Sequence, residues 1–270
     1  MAGNGQYDHF CDLVCEGGGV KGIGLAGAYS LLEERGYEPQ RVAGTSAGAI
    51  TAALIAARYS AAEIKEIVFG MDFLKFRDKG WEDRIPVFGR TVSILRDLGI
   101  YEGEFFLEWI RGLLEKKGVR TFGDLVNEEG ADEPRSRYRL QVIASDVTSH
   151  QLLVLPRDAH VLGEDPDGLE VARAVRMSMS IPIFFEPVRN VNKETNHEHV
   201  IVDGGMLSNF PVWLFDCGRD ETPRWPTFGL LLVEPDPKTP ITKRLPAPER
   251  GRRGVGGLVT YVRAMAQTMM

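Results

Sequence analysis

Gly44-Thr45-Ser46-Ala47-Gly48 is the segment in which residue type and spacing most directly suggest chemistry. A serine with glycine two residues to either side can sit on a sharp, strained turn that lifts its hydroxyl clear of the backbone. The glycines let a preceding strand and a following helix pack closely around it. Such a serine acts by nucleophilic attack, and it needs a base to take its proton. Alone the pattern is weak, because Gly and Ser also crowd ordinary turns.

Glu16-Gly17-Gly18-Gly19-Val20-Lys21-Gly22 is a second glycine-rich turn, placed between a short apolar run and a helical pattern. A turn at a helix N-terminus presents several backbone N–H groups and the positive end of the helix dipole, so it can bind a phosphate or hold an oxyanion. Gly17, Gly19 and Gly22 satisfy the G-x-G-x-x-G dinucleotide fingerprint. In that fold the second strand ends in an acidic residue for the ribose. Here it ends in Gly44-Thr45-Ser46, and no Gly-Lys-Ser/Thr follows the first turn as an ATP-binding loop requires. The first fact favours a hydrolase over a nicotinamide oxidoreductase, and the second argues against an ATP-binding loop.

The search for a base begins with the five histidines. None lies beyond Asp203, so the chain order Ser, acid, His of the α/β-hydrolase triad cannot be built on that aspartate. His9, His150 and His160 fall in polar or turn segments and read as solvated. His197 and His199 form a His-x-His pair with no third ligand at a metal-like spacing, and read as strand-edge residues. Asp203 remains, at the end of an apolar strand and followed by Gly204 and Gly205.

At these residues the chain resembles the patatin-like phospholipases, through several blocks in the right order. Glu16 to Gly22 resembles their oxyanion-hole loop, Gly44 to Gly48 their nucleophile elbow, and Asp203-Gly204-Gly205 the acid half of their dyad. Ser145-Asp146-Val147-Thr148 and Ala174 to Pro187, with Ser180-Ile181-Pro182 inside it, resemble the family's intervening blocks. The resemblance spans roughly residues 10 to 235. It implies a three-layer α/β fold with a central, mostly parallel sheet flanked by helices. It also implies Ser46 as acyl-accepting nucleophile, Asp203 as general base, and the backbone N–H groups of Gly18, Gly19 and Val20 as oxyanion hole. Lys21 stands where the family carries a basic residue, most often Arg, and is expected to fix the loop. The implied substrate is an acyl-ester lipid, cleaved without metal or organic cofactor. The rival from another class is a catalytically silent binding or regulatory domain on the same fold.

An aspartate with a reference pKa near 3.9 is a poor base for a serine hydroxyl. Desolvation in an apolar pocket would raise it, and an oxyanion hole would lower the barrier by about 3 to 4 kcal/mol per donor.

The elements that position these groups can be read from periodicity. Phe10 to Cys15 predicts a buried strand, and the helix after the first turn runs to about Arg35, with Ile23, Ala26, Leu31 and Leu32 at helical spacing. Arg41 to Ala43 predicts a second strand, leading through Ser46 into a small-residue helix ending near Ala57. Residues 60–126 read as mostly helical. The large apolar groups from Phe69 to Phe76, with Trp81 and Phe88, read as core or as a cap on an acyl pocket that meets a lipid interface. Tyr138 to Ser145 and Gln151 to Leu155 predict a hairpin, Val171 to Met179 a short helix, and Val200 to Val202 and Thr227 to Val233 two more strands. Residues 236–257 read as a Pro/Gly/charged loop or linker. In 258–270, Leu258, Tyr261, Val262, Met265 and Met269 share the face of an amphipathic helix that reaches Met270 without a cap, as a truncated chain would.

A chain of 270 residues, 43% apolar and 26% charged, can bury one substantial core without disulfides or a structural metal. A formal charge of −6 disfavours nucleic acid as a partner. The one basic cluster, Arg250, Arg252 and Arg253, reads as a solvated loop. Three cysteines, and a polar N-terminus without a secretory pattern, suggest a reduced, cytoplasmic chain. The small-apolar run Ala47 to Ala57 is far short of the roughly 20 residues a membrane span needs, so any membrane contact is expected to be peripheral.

Overall fold

Strand β1 (His9–Cys15) is buried at its last five positions and has parallel neighbours on both edges, β2 (Tyr37–Thr45) and β9 (Thr227–Leu230). The computed structural model describes residues 9–70, 99–101, 103–127, 136–217 and 222–233. The expected 236–257 linker, the 258–270 helix, the basic cluster and the apolar residues from Met71 to Phe88 lie outside the described residues.

A tight 3-10 turn, Gly19–Gly22, leads from β1 into helix α1 (Ile23–Glu34). Leu25, Ala26 and Tyr29 form its buried face, with Leu32 packed against the core, whereas Ile23 and Leu31 are exposed. The expected stripe is corrected in part: Ala26 and Leu32 face the core as expected, whereas Leu25 and Tyr29 take the places expected of Ile23 and Leu31. Strand β2 is also longer than Arg41 to Ala43, pairing along β1 from Tyr37 opposite His9 to Gly44 opposite Cys15. Arg41 donates from Nε and Nη2 to the two Asp12 carboxylate oxygens, at 2.8 and 2.5 Å, so both charges are held within adjacent strands.

Helix α2 (Ala47–Ala56) follows directly and is buried at every position. It is built almost wholly of small and aliphatic residues without charge, as a helix enclosed on all sides must be. Helices α3 (Ala61–Phe69), α4 (Glu104–Lys116) and α5 (Val171–Ser178) complete the α-helices among the described residues. All five of these contribute to one large apolar cluster against the sheet. The opposite face is covered by Phe210, Leu214 and Phe215 around the short turn Val212–Phe215, packed on Val14, Ala43, Ile143 and Val154. The sheet is thus the middle of three layers.

Strand β4 (Leu140–Asp146) is buried at all seven positions and makes the predicted hairpin with β5 (Gln151–Leu155). β5 occupies one edge of β4. On the other edge β2 runs parallel as far as Thr45 opposite Ile143, and β8 (His197–Asp203) runs antiparallel with Asp203 opposite Ala144. These two strands therefore meet head to head on adjacent rungs. β7 (Val188–Asn192) pairs antiparallel with β8. The short parallel pair of β3 (Gly99–Tyr101) and β6 (Ile183–Phe185) lies apart, and β3, β6 and β7 carried no clear sequence period.

Candidate active site

Ser46 sits at the junction of β2 and α2 with φ 54° and ψ −127°, in a region a non-glycine residue occupies only under constraint. The surrounding glycines show what imposes it. A Cβ on Gly44 would strike the Gly48 carbonyl, and one on Gly48 would strike the carbonyls of Cys15 and Glu16. At the N-cap of α2 a serine would ordinarily cap the helix with its side chain, as Ser60 does for α3 through a reciprocal bond with Glu63. Ser46 makes no such bond. Its hydroxyl is free for other work, beside the positive end of a buried helix.

Asp203 closes β8 and is 1% exposed; Ser46 is 6% exposed. Asp203 Oδ1 accepts the Gly205 N–H at 2.7 Å, while Oδ2 is buried without a hydrogen-bond partner among the described residues. Burial pushes the Asp203 carboxyl up to about 6, and the neighbouring Ser46 hydroxyl and the Gly205 amide act in the opposite sense. The expected pair is therefore brought together. The Ser46 hydroxyl does not close a full hydrogen bond to Oδ2, since in its present rotamer Oγ faces Met179 Sδ at 3.8 Å.

The glycine loop lies against the same serine. A Cβ on Gly17 would meet Ser46 Cβ at 3.2 Å and collide with Asn209 Oδ1. Gly19 has φ 54°, a left-handed conformation that glycine adopts without cost. The N–H groups of Gly18 and Gly19 make no hydrogen bond among the described residues, and Val20 follows in the 3-10 turn. The loop is braced from far along the chain. Asn209 Nδ2 donates to the Gly17 carbonyl at 3.0 Å, and the Glu16 carboxylate accepts from the Leu232 N–H at 2.6 Å. Thr45 Oγ1 donates to the Ser208 carbonyl at 2.9 Å, tying the serine turn to the segment after Asp203. The side chains of Val20 and Lys21 lie outside the description.

Sequence analysis placed Glu16 and the end of α5 in family-like blocks without giving Glu16, Ser178 or Ser180 a role, and it did not single out Asn209. Ser178 Oγ accepts the Ser46 N–H at 2.8 Å, and the Asp203 N–H donates to the Ser180 carbonyl at 2.9 Å. Ser and Asn are common residues, and nothing in their local spacing marks them. Among the described residues no imidazole hydrogen-bonds to Ser46. His9, His150, His160 and His197 are exposed, but His199 is not the strand-edge residue expected from its polar neighbours. β8 has partners on both edges, and His199 is buried with Nδ1 2.7 Å from Asp146 Oδ2. The Cys11 and Cys15 thiols are pushed up to about 12, chiefly by burial, so neither is a nucleophile at neutral pH.

The sequence model of the patatin-like phospholipases matches residues 13–216, and the chain belongs to that family. It is 45% identical over 231 residues to the Bacillus subtilis protein YqhO, which covers 86% of this chain and 74% of YqhO. It is 29% identical over 200 residues to an NTE family protein of Mycobacterium tuberculosis, covering 74% of this chain but only 27% of that protein. Among solved structures, VipD from Legionella pneumophila superposes with a TM-score of 0.49 at 21% identity, over 83% of this chain and 50% of that one.

Proposed function

We propose that this chain is a lipid acyl hydrolase, of phospholipase A or lysophospholipase type, working through a Ser46–Asp203 dyad. The observation that carries the reading is the buried, unpartnered Oδ2 of Asp203 beside a strained serine whose hydroxyl caps nothing. With Oγ turned to Asp203, the carboxylate takes the hydroxyl proton as Oγ attacks the ester carbonyl carbon. The tetrahedral oxyanion is held by the N–H groups of Gly18, Gly19 and Val20 and by the N-terminus of α2. Asp203 returns the proton to the departing alcohol, leaving an acyl-serine. Water, deprotonated by Asp203, then attacks that ester, and the proton goes back to Ser46 Oγ as the fatty acid leaves.

A carboxylate with its pKa raised towards neutrality suits both halves of this cycle. Among the described residues no helix is long and apolar enough to cross a membrane. The exposed Leu207 and Trp213, which follow Asp203 closely in the chain, fit a peripheral contact with an apolar substrate.

The test is to incubate wild type and Ser46→Ala with a fluorophosphonate probe and with mixed phospholipids, following released fatty acid. Labelling and release by wild type alone are expected. One observation favours the rival reading of a silent binding domain: Ser46 Oγ rests on a thioether rather than on its base. A wild type that binds lipid but is neither labelled nor hydrolytic would establish that rival.

A further inference from the structure

Ser178 is the last residue of α5 and is fully buried, and its Oγ accepts the Ser46 backbone N–H at 2.8 Å. The first N–H groups of a helix have no partner within it, and a buried one must find an acceptor elsewhere. Ser46 heads α2 with a left-handed φ, so its N–H points out of the helix ladder into a region closed to solvent. The acceptor it finds comes from 132 residues further along the chain.

We infer that Ser178 is a positioning residue for the nucleophile, holding the Ser46 peptide in the strained conformation from which Oγ can swing between Met179 and Asp203. The inference rests on the dyad proposed above. The angle φ is rotation about the N–Cα bond, so an acceptor that fixes the N–H fixes one end of that rotation. The same turn of chain also holds the base: Ser180 takes the Asp203 N–H on its carbonyl at 2.9 Å. Three consecutive residues, Ser178, Met179 and Ser180, thus contact the Ser46 N–H, the Ser46 hydroxyl and the Asp203 backbone in turn. That turn is itself anchored by Arg176, which donates from Nη1 to Ser180 Oγ at 2.5 Å and from Nη2 to the Glu186 carbonyl at 2.9 Å.

The experiment compares wild type, Ser178→Ala, Ser178→Cys and Ser178→Thr as full chains. Fluorophosphonate labelling rate and steady-state hydrolysis of a short soluble ester are followed, with circular dichroism and Tm as controls of folding. Ser178→Ala is expected to label about 10- to 100-fold more slowly, with kcat reduced by a like factor, as for a reacting group displaced by a fraction of an ångström to 1 Å. KM and the acid-side midpoint of the pH–rate profile should stay at their wild-type values. Ser178→Thr, which keeps the hydroxyl acceptor, should recover most of the rate. If the alanine variant does not fold, the nearly isosteric Ser178→Cys, with its weak sulfur acceptor, carries the same comparison. A folded Ala or Cys variant that labels at the wild-type rate, or that loses rate only through KM, overturns the positioning role and leaves the dyad standing. A wild type that is not labelled at all removes both.

Discussion

Asp203 stands opposite Ala144 in the antiparallel ladder between β8 and β4, one rung beyond the point where β2 ends with Thr45 opposite Ile143. Two strands arriving from opposite directions on one edge of a third place the candidate base beside the candidate nucleophile. No loop has to reach across the sheet to join them. In such a geometry the register is decisive, since a slip of one residue would turn the Asp203 side chain to the other face.

Gly204 guards that register. A Cβ there would run into the Ile143 carbonyl, which lies at the junction of the two strands. Gly204→Ala should displace Asp203 and lower ester hydrolysis by about 100-fold. It should also cost about 2 to 4 kcal/mol in urea unfolding, as overpacking against backbone does. Gly27→Ala is the control: Gly27 lies in α1 with nothing near its absent side chain, and this substitution should stabilise by about 0.5 to 1 kcal/mol.

Substitutions of Ser46 should separate chemistry from strain. Both Ser46→Ala and Ser46→Gly should abolish fluorophosphonate labelling. Because glycine accepts the left-handed φ of this position and alanine does not, Ser46→Gly should unfold at a higher urea concentration than Ser46→Ala, by about 1 kcal/mol. Equal stabilities would mean that the turn is not strained.

The pH–rate profile follows from the carboxyl pushed up to about 6. In the proposed dyad only ionised Asp203 accepts the serine proton, so kcat/KM for a soluble ester should fall as pH drops through about 6. A midpoint near 4 would show a base with an ordinary carboxyl environment.

The same carboxyl carries a stability cost of opposite sense to that of a salt-bridged aspartate. Its folded pKa, about 6, lies above the ordinary 3.8, so the folded state binds the proton more tightly. Stability from this group is fully present below about 3.8 and is lost as pH rises to about 6, by roughly 3 kcal/mol. Asp203→Asn should therefore be inactive yet more stable than wild type at pH 8, by about 1 to 3 kcal/mol, with the gap closing below pH 4. Urea unfolding at several pH values reads this directly.

Much of this site was legible from the sequence, and the parts that were not share a cause. Gly44, Ser46 and Gly48 lie within five residues, and the backbone collisions that fix them are local or involve the adjacent strand. The β4–β5 hairpin has a short connection and appeared as predicted. Asp203 came from exclusion of the histidines together with family resemblance, because its meeting with Ser46 depends on the register of two strands on a third. The roles of Ser178, Asn209 and Glu16 escaped notice for the same reason: each acts across more than 100 residues through a commonplace side chain. His199 misled because its polar neighbours suggested solvent, while its buried partner Asp146 lies 53 residues away.

The glycine loop is written near the start of the chain, but its braces, Asn209 and Leu232, and the strand β9 that flanks β1 come much later. Translation delivers these parts in order, residue by residue. A nascent chain that has emerged through β5 already displays Ser46, yet it has neither Asp203 nor anything to hold the loop. On the proposed reading such a chain is inert on the ribosome, and nearby bilayers meet the enzyme only after its last described strand has slotted in beside its first.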